Sequence, residues 1–139
     1  MSTAREIMHT GADCIGENGT LNKAAQMMRD LNVGSLPICG QDDRLKGIIT
    51  DRDIVVRCIA EGRDPGSMTA GEMAQGSIQY VDASADVDVV VQTMEEYQIR
   101  RVPVIDNHRL VGMISEADLA RNLPESQLAH FVESVYAAR

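Results

Sequence analysis

Two hydroxyl–carboxylate pairs stand out for the chemistry they could perform, Thr50-Asp-Arg-Asp53 and Ser115-Glu-Ala-Asp118. In each, a hydroxyl residue precedes an aspartate by three positions, and a glycine, Gly47 or Gly112, stands three positions earlier still. At the first turn of a helix this spacing has two uses. The free amides and partial positive charge of a helix start make a seat for phosphate, and the hydroxyl adds one more donor. The same spacing is a capping box, in which hydroxyl and carboxylate satisfy the helix's own first amides. Both uses stay open, and one does not exclude the other. A phosphate also calls for a cation, and guanidinium suits it best. Arg52 lies inside the first motif, whereas the second has Ala117 at that place and Arg100-Arg101 upstream. These three arginines are candidates for phosphate, with surface ion pairs to Glu95, Glu96 or Asp106 as the alternative for Arg100 and Arg101.

His9, His108 and His130 form no i, i+4 pair, and no Ser or Cys nucleophile motif accompanies them. The chain therefore reads as non-enzymatic, with no required cofactor and no metal site, although His9 and Cys14 remain conceivable as partial zinc ligands. Cys14, Cys39 and Cys58 have neither the number nor the spacing of a secreted disulfide framework or a CxxC zinc site. The simplest reading of each is a buried, reduced thiol.

The two motifs belong to a longer recurrence. Val33-Gly-Ser-Leu-Pro37-Ile and Leu45-Lys-Gly47-Ile-Ile-Thr50 return as Ile99-Arg-Arg-Val-Pro103-Val and Leu110-Val-Gly112-Met-Ile-Ser115. Pro37 and Pro103 are 66 residues apart, but Gly47 and Gly112 are 65 apart, so the second copy is one residue shorter between them. Upstream, Thr3-Ala4-Arg-Glu6 recurs as Thr69-Ala70-Gly-Glu72, and Leu21, Ala24, Ala25, Met28 and Leu31 recur as Val87, Val90, Val91, Met94 and Tyr97. Five apolar positions at helical spacing in both copies indicate a duplicated supersecondary unit. A site made by one copy should be echoed by the other.

Each copy reads as strand, helix, strand, turn, strand, helix. In the first, these fall at Asp13 to Ile15, Leu21 to Leu31 behind a Thr20 cap, Ser35 to Cys39, Leu45 to Thr50, and Asp51 to Glu61 with Gly62 as the stop. In the second they fall at Gln79 to Val81, Val87 to Tyr97, Val102 to Ile105, Leu110 to Ser115 and Glu116 to Arg121. A helical crossover makes the first two strands of each copy parallel, and the hairpin makes the next pair antiparallel. After Pro124 a tail helix, Glu125 to Ala138, carries Leu128, Phe131, Val132, Val135 and Tyr136 on one stripe. It should pack on the module or on a partner. The copies place Cys14 and Cys39 in adjacent parallel strands, within reach of a disulfide if their side chains share a face; Cys58 should lie buried in its helix.

At 139 residues the chain suits two half-size units, neither of which would bury much alone. One Phe, no Trp and eight Met make the core aliphatic and thioether-rich. A formal charge of −8 disfavours general affinity for nucleic acid or anionic membrane. The N-terminus opens directly into the repeat and no run of 18 apolar residues occurs, so a soluble, cytoplasmic protein is expected.

A proline in the second strand, Gly-x-x-Thr/Ser-x-x-Asp at the third strand–helix junction, and the doubling of both together resemble the cystathionine-β-synthase (CBS) domain pair, or Bateman module. The resemblance covers nearly everything but the tail helix. It implies an α/β (α+β) fold of two β-α-β-β-α repeats about a pseudo-two-fold axis, here at residues 1–63 and 64–123, followed by the C-terminal helix at 124–139. It implies clefts between the repeats that take an adenosyl ligand such as AMP, ADP, ATP, NAD or S-adenosylmethionine. In them Thr50 and Ser115 would meet phosphate, and Asp53 and Asp118 the ribose hydroxyls. Homodimers are also implied. The function expected is regulatory, passed in trans to a protein partner that the letters do not identify. The alternative is a structural or stress-related role with empty clefts and a redox-responsive Cys14–Cys39 disulfide.

Overall fold

The computed structural model describes residues 2–10, 13–74 and 78–137. Its elements run α1 (Ala4–Ile7), β1 (His9–Thr10), β2 (Ile15–Gly16), α2 (Leu21–Leu31), β3 (Ser35–Cys39), β4 (Leu45–Thr50) and α3 (Asp51–Asp53), which continues as a π-helical stretch (Ile54–Ile59). The second half holds α4 (Ala70–Met73), β5 (Val81–Asp82), α5 (Val87–Tyr97), β6 (Arg101–Asp106), β7 (Arg109–Ser115), α6 (Glu116–Asn122) and α7 (Glu125–Tyr136).

Packing groups these elements into two compact units. One spans residues 13–78, and the other joins 1–12 to 79–139. The grouping differs from a division at the repeat boundary because the short helix that opens each repeat packs with the other repeat's sheet. In the first unit α4 hydrogen-bonds to the turn after β2, with the Ala70 and Gly71 amides donating to the carbonyls of Gly19 (2.7 Å) and Glu17 (2.8 Å). In the second, the Ala4 and Arg5 amides donate to Ala85 (2.8 Å) and Ala83 (3.0 Å). These contacts are the same ones 66 residues apart. Both short helices begin with the recurrent Thr-Ala-x-Glu: the Glu6 carboxylate accepts the Thr3 amide (3.2 Å), and the Glu72 carboxylate accepts the Thr69 amide (2.6 Å).

The first unit is a three-stranded sheet ordered β2-β3-β4, with β2 parallel and β4 antiparallel to β3. The second repeats it as β5-β6-β7, with β1 added on the outer edge of β7. The prolines fit because β2 and β5 are short. β2 pairs only with Ile38 and Cys39, and β5 only with Val104 and Ile105, so Pro37 and Pro103 lie where the missing N–H costs no ladder bond on that side. The residue lost from the second copy is in the hairpin. Asn107 and His108, both at positive φ, make a tight two-residue loop, where the first copy uses Gly40 to Arg44.

Each unit has its own core. Leu21, Ala24 and Met28 of α2 bury against Leu36, Ile38 and Ile49, with Ala70 and Met73 of α4 closing the first core. Val90, Val91 and Met94 of α5 bury against Val102, Val104 and Ile114, with Ala4 and Ile7 of α1 in the equivalent place. Burying that valine face overrides the weak helix propensity of β-branched residues in α5. The tail helix α7 joins the second core through Phe131 and Val135, but Val132 is exposed. Expected Ala138 lies outside the described residues. The first strand of each copy begins two residues later and ends one residue later than expected, and the helix after β4 is π-helical beyond Asp53, its Ala60 amide reaching the Val55 carbonyl (2.8 Å) before Gly62 at φ +73° ends it.

Candidate functional site

At the first strand–helix junction, Thr50 leaves β4 in extended conformation and caps α3. Its hydroxyl accepts the Asp53 amide (3.1 Å), and the Asp53 carboxylate accepts the Thr50 amide (2.9 Å). The capping box anticipated from the spacing is thus formed. It leaves one Asp53 oxygen lightly engaged: Arg57 Nη1 stands 3.8 Å from Oδ1, and the Asp53 side chain is 26% exposed. Arg52 is exposed. The Asp51 amide donates to the Gly34 carbonyl (3.0 Å), and the absence of a side chain at Gly34 leaves room for the Asp51 carboxylate.

The second junction has the same frame and a different filling. The Ser115 amide (2.8 Å) and hydroxyl (3.1 Å) both donate to Asp118 Oδ2. On Oδ1 converge Arg121 Nη2 at 2.6 Å and His9 Nδ1 at 3.2 Å. Asp118 is only 2% exposed. Three donors, the Ser115 amide and hydroxyl and Arg121, with the His9 nitrogen close by, therefore meet a carboxylate whose counterpart in the first junction keeps one lightly engaged oxygen. Charge-assisted contacts of this kind are stronger than neutral ones, and desolvation strengthens them further.

The upstream arginines follow the same asymmetry. Glu116 donates its amide to the Arg100 carbonyl (3.0 Å), the equivalent of the Asp51–Gly34 bond. The Arg100 guanidinium lies 5.8 Å from the Tyr136 ring centroid and donates to its phenol oxygen (3.4 Å), while that phenol donates to Glu116 (3.1 Å). Arg101 is half-buried on β6, directly opposite Ser115. Asp106 is met by Arg5, and Glu95 by His130 Nδ1 at 3.0 Å.

The sequence spacing thus identifies the frame of both junctions, but not His9, Arg121, Glu116 or Tyr136. Arg121 had a signal, its i+3 placement after Asp118 on one helical face. His9 had none within its own copy, because β1 reaches Asp118 only through the exchanged segment. Gly112 permits this approach: a Cβ there would collide with the His9 carbonyl oxygen and stand 2.5 Å from Met8 Sδ.

Cys14 and Cys39 are joined in a disulfide, with Cα atoms 5.7 Å apart across the β2–β3 pairing. The bond removes Cys14 as a thiolate partner for His9 in metal binding. Cys58 is a buried free thiol facing the Arg63 carbonyl at 3.5 Å.

Comparison with known proteins bears on what these junctions are for. Hypoxic response protein 1 of Mycobacterium tuberculosis (strain ATCC 25618 / H37Rv) is 56% identical over 135 residues, covering 97% of this chain and 94% of that protein. The crystal structure of Hypoxic Response Protein I with two coordinated zinc ions matches at a TM-score of 0.83 and 57% identity, over 88% of this chain and all of that one. The CBS domain pair of protein MJ0100, solved in complex with 5′-methylthioadenosine and S-adenosyl-L-methionine, matches at a TM-score of 0.77 and 27% identity, over 87% of this chain and 94% of that one. The family model described as the CBS domain matches twice, at residues 4–59 and 70–125, the same doubling seen in the sheets and junctions, and the chain belongs to the CBS-domain family.

Proposed function

We propose that this chain is a non-enzymatic regulatory module that senses an adenosyl ligand, AMP, ADP, ATP, NAD or S-adenosylmethionine, and signals to a protein partner in trans from the cytoplasm. The observation that carries the reading is the lightly engaged Oδ1 of Asp53 beside the Thr50 hydroxyl at a strand–helix junction. Asp53 would accept the ribose hydroxyls, Thr50 would meet phosphate, and Arg52 would supply the cation. The adenosyl complex of the MJ0100 domain pair supports this ligand class. Ser115, Asp118, Arg100 and Arg101 would serve the second junction only after His9 or Arg121 gives way, so the first junction fills first.

A homodimer is part of the reading. Val55, Val56 and Ile59 are exposed together on the π-helical stretch, an apolar strip that a second copy would cover. A monomer in sedimentation equilibrium at micromolar concentration would overturn that part. Among the described residues no three His, Cys, Asp or Glu side chains converge to hold a metal.

Calorimetry against the five ligands tests the reading. Binding by the wild-type chain that is abolished in Asp53→Ala and retained in Asp118→Ala is the expected result. Silence from all five at millimolar concentration would instead favour the structural or stress-related role, which the sealed Asp118 and the disulfide support.

A further inference from the structure

The first unit holds a concavity of about 470 Å³ whose wall includes both cysteines of the Cys14–Cys39 disulfide. Its size lies within the range of small-molecule sites. It is separate from the Thr50 and Asp53 junction, none of whose residues lines it. Two charged side chains of opposite sign, Lys23 from the first turn of α2 and Glu17 from the turn after β2, stand on its wall with Met27 and Gln41. The Glu17 carboxylate leans over Gly40, where a Cβ would come within 2.7 Å of it. The two cysteines are not equally exposed: Cys14 is half-buried and Cys39 only 5% exposed.

A disulfide open to a cavity is attacked by a thiolate approaching the more accessible sulfur, and the other sulfur departs. We propose that this concavity is a thiol-exchange site, in which an amino-acid-derived thiol docks its carboxylate on Lys23 and its ammonium on Glu17 and reduces the disulfide through Cys14. The small thiol first loses its proton to solvent. Its thiolate then forms a bond to Cys14 Sγ as the Cys14–Cys39 bond breaks; Cys39 leaves with the bonding pair and takes a proton. A second molecule of the thiol, likewise deprotonated, attacks the mixed disulfide, and Cys14 is released as a thiol on protonation. In sum two small thiols become one small disulfide, and their two electrons reduce the protein bond. The outcome matters for the fold because β2 pairs with β3 through two residues only, and the disulfide fixes the chain beside them.

The test uses the oxidised full-length chain with glutathione and, separately, uncharged 2-mercaptoethanol, quenched in acid and followed by intact mass and peptide mapping. The expected first product is a glutathione adduct on Cys14, formed at a rate proportional to glutathione concentration. Lys23→Gln should slow glutathione by about three- to fivefold, the scale of one exposed charge contact, while leaving 2-mercaptoethanol unchanged. Lys23 is exposed and only its amide serves the Thr20 cap, so this variant keeps the helix. A first adduct on Cys39, equal rates for Lys23→Gln and wild type with glutathione, or a rate that reaches the same ceiling with glutathione and with 2-mercaptoethanol because both wait for unfolding would each overturn the proposal.

Discussion

At the residue scale the two aspartates that look interchangeable in the sequence do different work. Asp53 closes a capping box and keeps a lightly engaged oxygen, whereas Asp118 is buried under Ser115, Arg121 and His9. Removing Asp53 should cost about 1 kcal/mol, the ordinary worth of a helix cap. Removing Asp118 should cost about 2 kcal/mol, since the Ser115 amide and hydroxyl lose their acceptor while Arg121 and His9, each more than half exposed, regain water. Urea denaturation of Asp53→Ala and Asp118→Ala measures the difference, and equal midpoints would contradict the description of Asp118 as the anchor of the second junction. The hydroxyl–carboxylate spacing was readable because it is local. The identity of what fills the second junction was not, because His9 is 109 positions away from Asp118 in the chain.

At the element scale, α2, β3, β4 and α5 form over the spans expected from apolar periodicity and caps. Their lengths give the pattern enough turns or alternations to be read. The elements α1, β1 and α4 have two to four residues each, too few for any period, and exist because a neighbouring sheet receives them. Their only sequence trace was Thr-Ala-x-Glu appearing twice, visible as a recurrence but not as a helix start in the wrong repeat's unit. The recurrent glycines carry the complementary signal. Where Gly112 admits β1, Gly47 admits the end of α4, with a Cβ there falling 2.8 Å from Ala74 Cβ. Gly112→Ala should therefore detach β1 from β7, raising amide hydrogen exchange at His9 and Thr10 and lowering stability by roughly 1–3 kcal/mol through overpacking. Gly47→Ala likewise meets a rigid neighbour, because the Ala74 Cβ is fixed to its backbone and the Ala74 Cα lies 3.1 Å from the added methyl, so it should loosen the end of α4. Unchanged exchange at His9 in Gly112→Ala would show that β1 is not held by that close approach.

At the scale of the whole molecule, exchange of the opening helices makes the compact unit different from the repeating unit. Surface carboxylates help hold the exchanged pieces and their neighbours. Glu72 is held below the usual glutamate range, first by the Thr69 amide and then by its hydroxyl, and Asp82 is lowered by the Ser84 hydroxyl and amide. Because folding lowers both, the stabilisation they give is complete above their unfolded values and is lost as pH falls through the folded ones, so thermal melts should decline from about pH 4.5 downward. A melting temperature flat from pH 5 to 3 would contradict this. The exchange itself is tested by cutting the chain in two ways. A fragment of residues 1–63 follows the repeat, but it lacks Met68, Ala70 and Met73, which are buried in the first core, and carries Ala4 and Ile7 without the sheet that buries them. A fragment of residues 13–78 follows the packing and retains that core together with its disulfide. At about 65 residues either fragment is near the limit of independent stability, so the loss of three buried side chains decides the outcome. Circular dichroism should show a cooperative melt for 13–78 and none for 1–63. A cooperative melt of 1–63 at the same temperature would mean that the opening helix belongs to its own repeat after all.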